Sequence, residues 1–251
     1  MHLYLVEEIH RYFPCLLSKS RYVVVTSDRY QLQAFSILKT QINFWEKIIV
    51  SVLANLKKEL ISISTATDIG FNSTPTIKQQ IETLAESLEV LNPTVEPTSF
   101  MELVQGRWQL LYSTFGLERE TTLQRLSFGK LPNVTVNVTG IFQEVYLDNQ
   151  QYINLIEFTV GSDVKGVAAV TGRYRVEDSK RLNIDFLETS VKSASNDLDV
   201  STFRSCLGID SQSALESKLD FSGWSDITYL DENLRLMRGN NQNLYVLVRT
   251  N

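Results

Sequence analysis

Both histidines, His2 and His10, lie at the very start of the chain, so everything after them lacks the residue type. That removes Ser–His and Cys–His nucleophilic pairs, and with them the commonest transition-metal ligand. Cys15 and Cys206 have neither a CxxC spacing nor the number a disulfide framework needs. Cys206 is expected as a small buried apolar residue. No GxSxG, Walker or GxGxxG motif occurs. Two carboxylate pairs remain, Asp185 with Glu188 and Asp231 with Glu232. Acid–base work needs two carboxyls that converge. A three-residue separation on a strand sends side chains to opposite faces, and the adjacent pair falls in a turn. Both pairs read as solvated surface. No catalytic residue, metal site or cofactor is expected, and the chain reads as a non-enzyme.

Binding chemistry has better candidates. In Arg173-Tyr174-Arg175 the two guanidinium groups share one strand face and could grip an anionic head group bidentately. An outward, solvated pair is the competing reading. Farther apart, Gly106-Arg107-Trp108 opens a β-rich region that Val248-Arg249 closes. In lipocalin-like barrels an opening Trp plugs one end and a basic side chain from the last strand covers its indole, a cation–π contact. Trp108 and Arg249 have the types and order for that closure. An ordinary core aromatic with a solvated terminal Arg fits the spacing equally well.

The totals narrow the partners. Of 251 residues, 43% are hydrophobic and 21% charged, an ordinary globular balance. Net charge is -5, and the isoelectric point near 5.2 argues against nucleic acid. The imbalance lies after residue 53, where 18 Lys and Arg face 25 Asp and Glu. The longest apolar run, Ile48 to Ala54, is too short to span a membrane.

Residues 1–40 form an N-terminal extension of weak pattern, with a strand suggested at Val23 to Val25 and a helix at Gln31 to Lys39. Residues 41–104 read as helical. Ile42, Trp45, Ile49, Val52, Leu56, Leu60 and Ile63 recur at three- and four-residue spacings, one stripe of an amphipathic helix. The stripe suits packing on its own domain better than a membrane surface, because the opposite face is not basic. Thr74-Pro75 begins a second helix carrying Ile77, Ile81, Leu84, Ala85, Leu88 and Leu91, and Asn92-Pro93 ends it. From residue 105 to 251 the period becomes two. Strands are predicted at Trp108 to Tyr112, Phe115 to Thr122, Val134 to Val138, Ile141 to Leu147, Tyr152 to Val160, Val167 to Val176, Arg181 to Ser190, Leu234 to Met237 and Leu244 to Arg249. A short helix is predicted near Ala214 to Leu219. Eight or nine antiparallel strands at short spacing suit a closed lipocalin-like β-barrel preceded by two α-helices, a mainly β fold. Alternation nominates Trp108, Leu110, Tyr112, Phe142, Phe158, Val170, Tyr174, Phe186, Leu236 and Val246 as lining an apolar pocket. The parity of each strand is open. Fifteen buried methylenes would contribute about 12 kcal/mol before the costs of association, enough for micromolar affinity.

Three segments resemble the PAP/fibrillin family of plastid lipid-associated proteins. They are Leu88-Glu89-Val90-Leu91-Asn92-Pro93-Thr94-Val95-Glu96-Pro97, Leu103 to Thr114 around Gly106-Arg107-Trp108, and Gly223-Trp224 through Tyr229-Leu230-Asp231-Glu232 to Arg238-Gly239. Their order and spacing agree over about residues 55–251. The resemblance implies a barrel that binds or organises a hydrophobic small molecule, a lipid, carotenoid or quinone, at a thylakoid or lipid-globule surface. It implies a peripheral membrane partner, and an isoprenoid-quinone synthesis enzyme as a second kind of partner. The extension lacks the character of a clean transit peptide, which favours a thylakoid-associated or cytoplasmic place in a cyanobacterium-like cell over a plant plastoglobule or thylakoid. Two further readings stand beside the carrier: a lipocalin-like bilin lyase, and a structural coat of lipid bodies that uses the residue 42–63 stripe without an internal ligand.

Overall fold

In a computed structural model the described residues are 28–161, 164–195 and 197–250. The suggested strand at Val23 to Val25 lies outside them. The chain divides into two compact units, Met1–Asn55 and Leu56–Asn251. Helix α1, Asp28–Ala66, begins in the first and ends in the second. In the first unit Phe44 and Trp45 are 60% and 59% exposed and meet edge to face at 5.8 Å. In the second, α1 buries Leu60 completely. Helix α2, Pro75–Val90, starts where the sequence indicates: the Thr74 hydroxyl accepts from the Ile77 amide, and Pro75 occupies the first turn. Its apolar stripe, Ile81, Ala85 and Leu88, is fully buried. A single turn, α3, Met101–Val104, leads into the sheet.

Nine strands follow: β1 Gly106–Ser113, β2 Glu120–Thr122, β3 Thr135–Tyr146, β4 Gln151–Val160, β5 Val164–Val176, β6 Arg181–Ser193, β7 Glu216–Leu230, β8 Leu234–Gly239 and β9 Leu244–Thr250. They run in the order β1-β9-β8-β7-β6-β5-β4-β3-β2, and β1 also pairs with β3. Hydrogen bonds therefore close β1 and β3 to β9 into an eight-stranded ring, with β2 hanging on the outer part of β3. First and last strands pair antiparallel, Trp108 opposite Arg249.

Some elements differ from expectation. The two strands expected at Val134 to Val138 and Ile141 to Leu147 are one strand, β3, with a bulge between Val138 and Gly140. A bulge inserts a residue and shifts the alternation, so one strand reads as two. The expected helix at Ala214 to Leu219 is the start of the longest strand, β7; the helix of that region is α5, Val200–Cys206, capped by Asp199. Only Glu120–Thr122 of the expected Phe115 to Thr122 strand is a strand, and helix α4, Leu123–Leu126, succeeds it. Cys206 is free and half-buried rather than buried.

The ring is lopsided. β8, β9 and β1 are short, and β8 pairs with β7 only from Ser225 to Leu230. β1 pairs with β3 only over Gly106 to Gln109. One end of the barrel is thus fully strand-bound. At the other the long strands run on past their short neighbours, and α4, α5 and the residues after α4 fill the gap: Leu123, Leu126, Leu131, Phe203 and Leu207 join Val136, Phe158, Ala168 and Val191 in one apolar cluster.

Candidate functional site

Register decides which side chains the ring encloses, since residues directly opposite on antiparallel strands share a face. Trp108, Val145, Tyr152, Tyr174, Leu182, Ile184, Ile227, Met237 and Leu247 come from eight strands yet form one cluster, which is geometrically available only inside. Of the nominated lining residues, Trp108, Leu110, Phe158, Val170, Tyr174 and Phe186 lie on this face. Tyr112, Phe142, Leu236 and Val246 do not. A register shift after Leu110 turns Tyr112 to the face of Val246, and Val246 pairs with Leu236. That outer face is buried because α2 covers it. Glu82 and Glu89 of α2 bind Arg238 at 2.6 and 2.9 Å, and burial, reinforced by Glu82, pushes the Tyr112 hydroxyl up. Phe142 lies opposite Gln109, outside the ring, with the Arg107 guanidinium 4.2 Å from its ring centre. Burial on both faces of β8 and β9 left no polar rhythm by which alternation could separate inside from outside.

Arg173 and Arg175 are exposed on the outer face, and Arg175 meets Asp185 at 2.5 Å. The pair is turned away from the interior. Asp185 and Glu188 share the outer face instead of opposing each other, because the bulge at Leu187 shifts the alternation. Asp231, expected in solvent, is half-buried: its carboxylate accepts from Lys57 Nζ at 2.5 Å, the Tyr229 hydroxyl at 2.7 Å and the amides of Asn233 and Leu234. Burial alone would raise this carboxyl, but those donors outweigh it and hold it below its usual range.

The strand-bound end is a knot around Trp108. Its indole N–H donates to the Val104 carbonyl at 2.9 Å, and the Arg249 guanidinium sits 4.2 Å from the ring centre. Arg249 also donates to the carbonyls of Glu232 and Gln105, each at 2.7 Å, and to Leu103. Gly106 sits at φ +117°, and a Cβ there would come within 2.7 Å of Arg249 Nη1. Trp108 and Arg249 thus face each other across the pairing of β1 with β9. Asn92 joins the same end: its side-chain oxygen accepts from the Leu230 amide at 3.0 Å, and the Thr94 hydroxyl donates to the Leu230 carbonyl at 2.7 Å.

Sequence reasoning passed over Arg235. It lies opposite Leu247 on the inner face and is 0% exposed. Its guanidinium stands 4.6 Å from the Trp108 ring centre and donates from Nη2 to Gln143 Oε1 at 2.8 Å. The signal was the alternation Leu234-Arg235-Leu236, which puts Arg235 inside if Leu236 is outside. Burial lowers its pKa to about 10, with Arg249 adding to the effect and Tyr152 opposing it, so it stays charged at neutral pH.

An open apolar hollow was expected, but the described interior is filled by its own side chains. Trp108, Tyr152, Phe158, Val170, Tyr174, Ile184 and Met237 are each no more than 3% exposed. The column reaches the surface at the gapped end. There the rings of Phe186 and half-buried Phe221 meet at a tilt, 5.0 Å between centres, and those of Phe221 and Phe128 likewise at 4.6 Å. Phe128 is 50% exposed and held at φ +54°. Two concavities lie beside this end: one of about 220 Å³ over β2 and α4, lined by Glu118, Thr122 and Arg125, and one of about 190 Å³ between β6 and α5, lined by Val191, Leu198 and Phe203.

The PAP_fibrillin family profile matches residues 54–248. Similar curated proteins include a chloroplastic plastid-lipid-associated protein of Citrus unshiu, 29% identical over 231 residues, covering 80% of this chain and 69% of that one. A chromoplast-specific carotenoid-associated protein of an Oncidium hybrid cultivar is 25% identical over 232 residues, covering 79% and 70%. The chloroplastic plastid-lipid-associated protein 6 of Arabidopsis thaliana is 26% identical over 203 residues, covering 78% and 70%.

Proposed function

This chain belongs to the PAP_fibrillin family, and we propose that it holds a hydrophobic small molecule, a carotenoid, quinone or other plastid or thylakoid lipid, within its barrel. Membership of the family makes it a non-enzyme. One observation carries the binding reading. The barrel is sealed by strands at the Trp108 end only, while the opposite gap is stopped by apolar residues outside the ring, Leu123, Leu126 and Phe128, in contact with the interior column. Apart from bonds of its own loop, such as the Leu123 amide to the Val134 carbonyl at 2.9 Å, the stopper is held by side-chain packing, and it can move aside at less cost than breaking a strand ladder. The half-exposed Phe128–Phe221 pair marks the route. Binding then exchanges the self-packing of the interior for packing against the ligand.

The plastid setting of the relatives supports a plastid or thylakoid site of action for this chain. Contact with a membrane or lipid globule fits the exposed Phe44 and Trp45, since aromatic rings settle at the head-group level. Association with an enzyme of isoprenoid-quinone synthesis would supply or use the same cargo. The test is mass spectrometry of lipids that co-purify from the native membrane fraction, followed by titration with β-carotene and a prenylquinone. One stoichiometric lipid and saturable quenching of tryptophan emission are expected. A protein that comes away lipid-free and shows no saturation leaves only a surface role, which Phe44→Ser with Trp45→Ser would abolish in vesicle flotation.

A further inference from the structure

Arg235 is a buried cation without a counter-charge among the described residues. Its Nη2 has the neutral Gln143 oxygen, its Nη1 reaches the Val104 carbonyl only at 3.5 Å, and its Nε has no partner. No described carboxylate forms an ion pair with it, whereas Arg107, Arg119, Arg175, Arg181 and Arg238 each have one. A second guanidinium, Arg249, shares the same indole and adds like charge. Taking a guanidinium out of water costs several kcal/mol, and breaks even only with good geometry and a full set of partners. The indole face returns part of that. Gln143 returns part as well, which leaves the site short by about one negative charge and one acceptor.

The surroundings say what would complete it. The Tyr152 hydroxyl lies near enough to act on the Arg235 charge and is itself buried. Ser225 Oγ and Thr189 Oγ1, both on the inner face, are buried without hydrogen-bond partners. From Arg235 toward the gapped end the column runs through Tyr174, Ile184 and Phe186, with Asn154 a further polar residue on the inner face. A cation at the sealed end of a greasy column is the complement of an amphiphile with one acidic head and one apolar tail.

We propose that Arg235 anchors the carboxylate of such an amphiphile inside the barrel, with Gln143 and the Tyr152 hydroxyl as its neutral partners. This deepens the carrier reading and rests on it. The head sits against the Trp108 knot, and the tail lies along the inner face toward Phe186 and Phe221. The sign of the charge selects an acid over its ester or alcohol; because Arg249 spends its donors on three carbonyls, Arg235 alone is left to hold the head, which suits one carboxylate better than a diphosphate.

Oleate, methyl oleate and β-carotene are titrated into the unmodified protein and into Arg235→Met, which keeps the volume without the charge. Binding is read by tryptophan quenching and calorimetry. Oleate is expected to bind the unmodified protein about tenfold or more tighter than methyl oleate, and Arg235→Met to erase the difference. Equal binding of acid and ester to the unmodified protein overturns the anchor, and β-carotene binding would leave the carrier reading standing. Failure of all three ligands to bind overturns both. The acid–ester comparison needs no variant, so it decides the matter even if Arg235→Met does not fold; Gln143→Leu, expected to weaken oleate selectively, is the second variant.

Discussion

At the residue scale the family-bearing positions are the closure of the barrel. Gly106 leaves room for the Arg249 guanidinium, Trp108 receives it, and Asp231 fixes the turn that brings β8 back. Arg249 spends its donors on three carbonyls from different segments, so Lys cannot replace it: an ammonium has no planar fork. Arg249→Ala is expected to lower stability by about 2–4 kcal/mol, from the charged hydrogen bonds and the indole contact together. Arg249→Lys should recover less than half of that. Urea denaturation followed by Trp emission checks both, and an alanine variant as stable as the parent would remove the knot from the account.

Among elements, α2 docks through charge as well as apolar contact. Glu89 accepts from Arg238 Nε at 2.9 Å, Arg238 Nη2 at 3.2 Å and the Thr228 hydroxyl at 2.7 Å. The Arg238 side chain is only 13% exposed. Burial would lower the Arg238 pKa, but Glu89 and Glu82 more than restore it. Breaking such a pair from one side leaves the other charge buried, which costs more than the pair contributes. Glu89→Ala is expected to destabilise by about 3 kcal/mol, and Glu82→Ala by less, because Arg238 keeps the two bonds to Glu89. Denaturant melts of both variants and the double variant measure the coupling; additive losses would mean the two glutamates act independently.

For the whole molecule, alkaline pH is the sensitive axis. All six tyrosines from residue 112 onward have hydroxyls raised above 10.0. Burial is the main cause at five of them; at Tyr146 it is the Glu144 hydrogen bond. The unfolded chain sheds those protons near pH 10 while the folded one keeps them, so the fold is fully stabilised below pH 10 and loses stability above it. Arg235 works the other way, since its folded pKa of about 10 lies below the ordinary guanidinium value, so its contribution recovers as pH rises above 10. Burial lowers Arg249 as well, and two opposing groups do not offset six. Unfolding by circular dichroism is expected to coincide with the rise of tyrosinate absorbance above pH 10. Smooth ionisation of these tyrosines in a still-folded protein would contradict the burial described.

Local signals carried much of this molecule. Thr74-Pro75 and Asn92-Pro93 bound α2 by capping and missing-donor chemistry that no tertiary contact can alter. The two-residue period of β4, β5 and β6 marked strands because each has one wet face. The missing histidines ruled out a triad without any coordinates. Tertiary structure decided the rest. Tyr112 and Phe158 look alike in an alternating run, yet a bulge and a covering helix send one out of the barrel and leave the other within it. Arg235 sits among leucines whose burial has two different causes, α2 outside and the column inside, and hydrophobicity along a chain does not distinguish them. Whether a ring of strands is hollow or filled depends on side-chain volumes meeting across the barrel from distant segments, a quantity that exists only once the ring has closed.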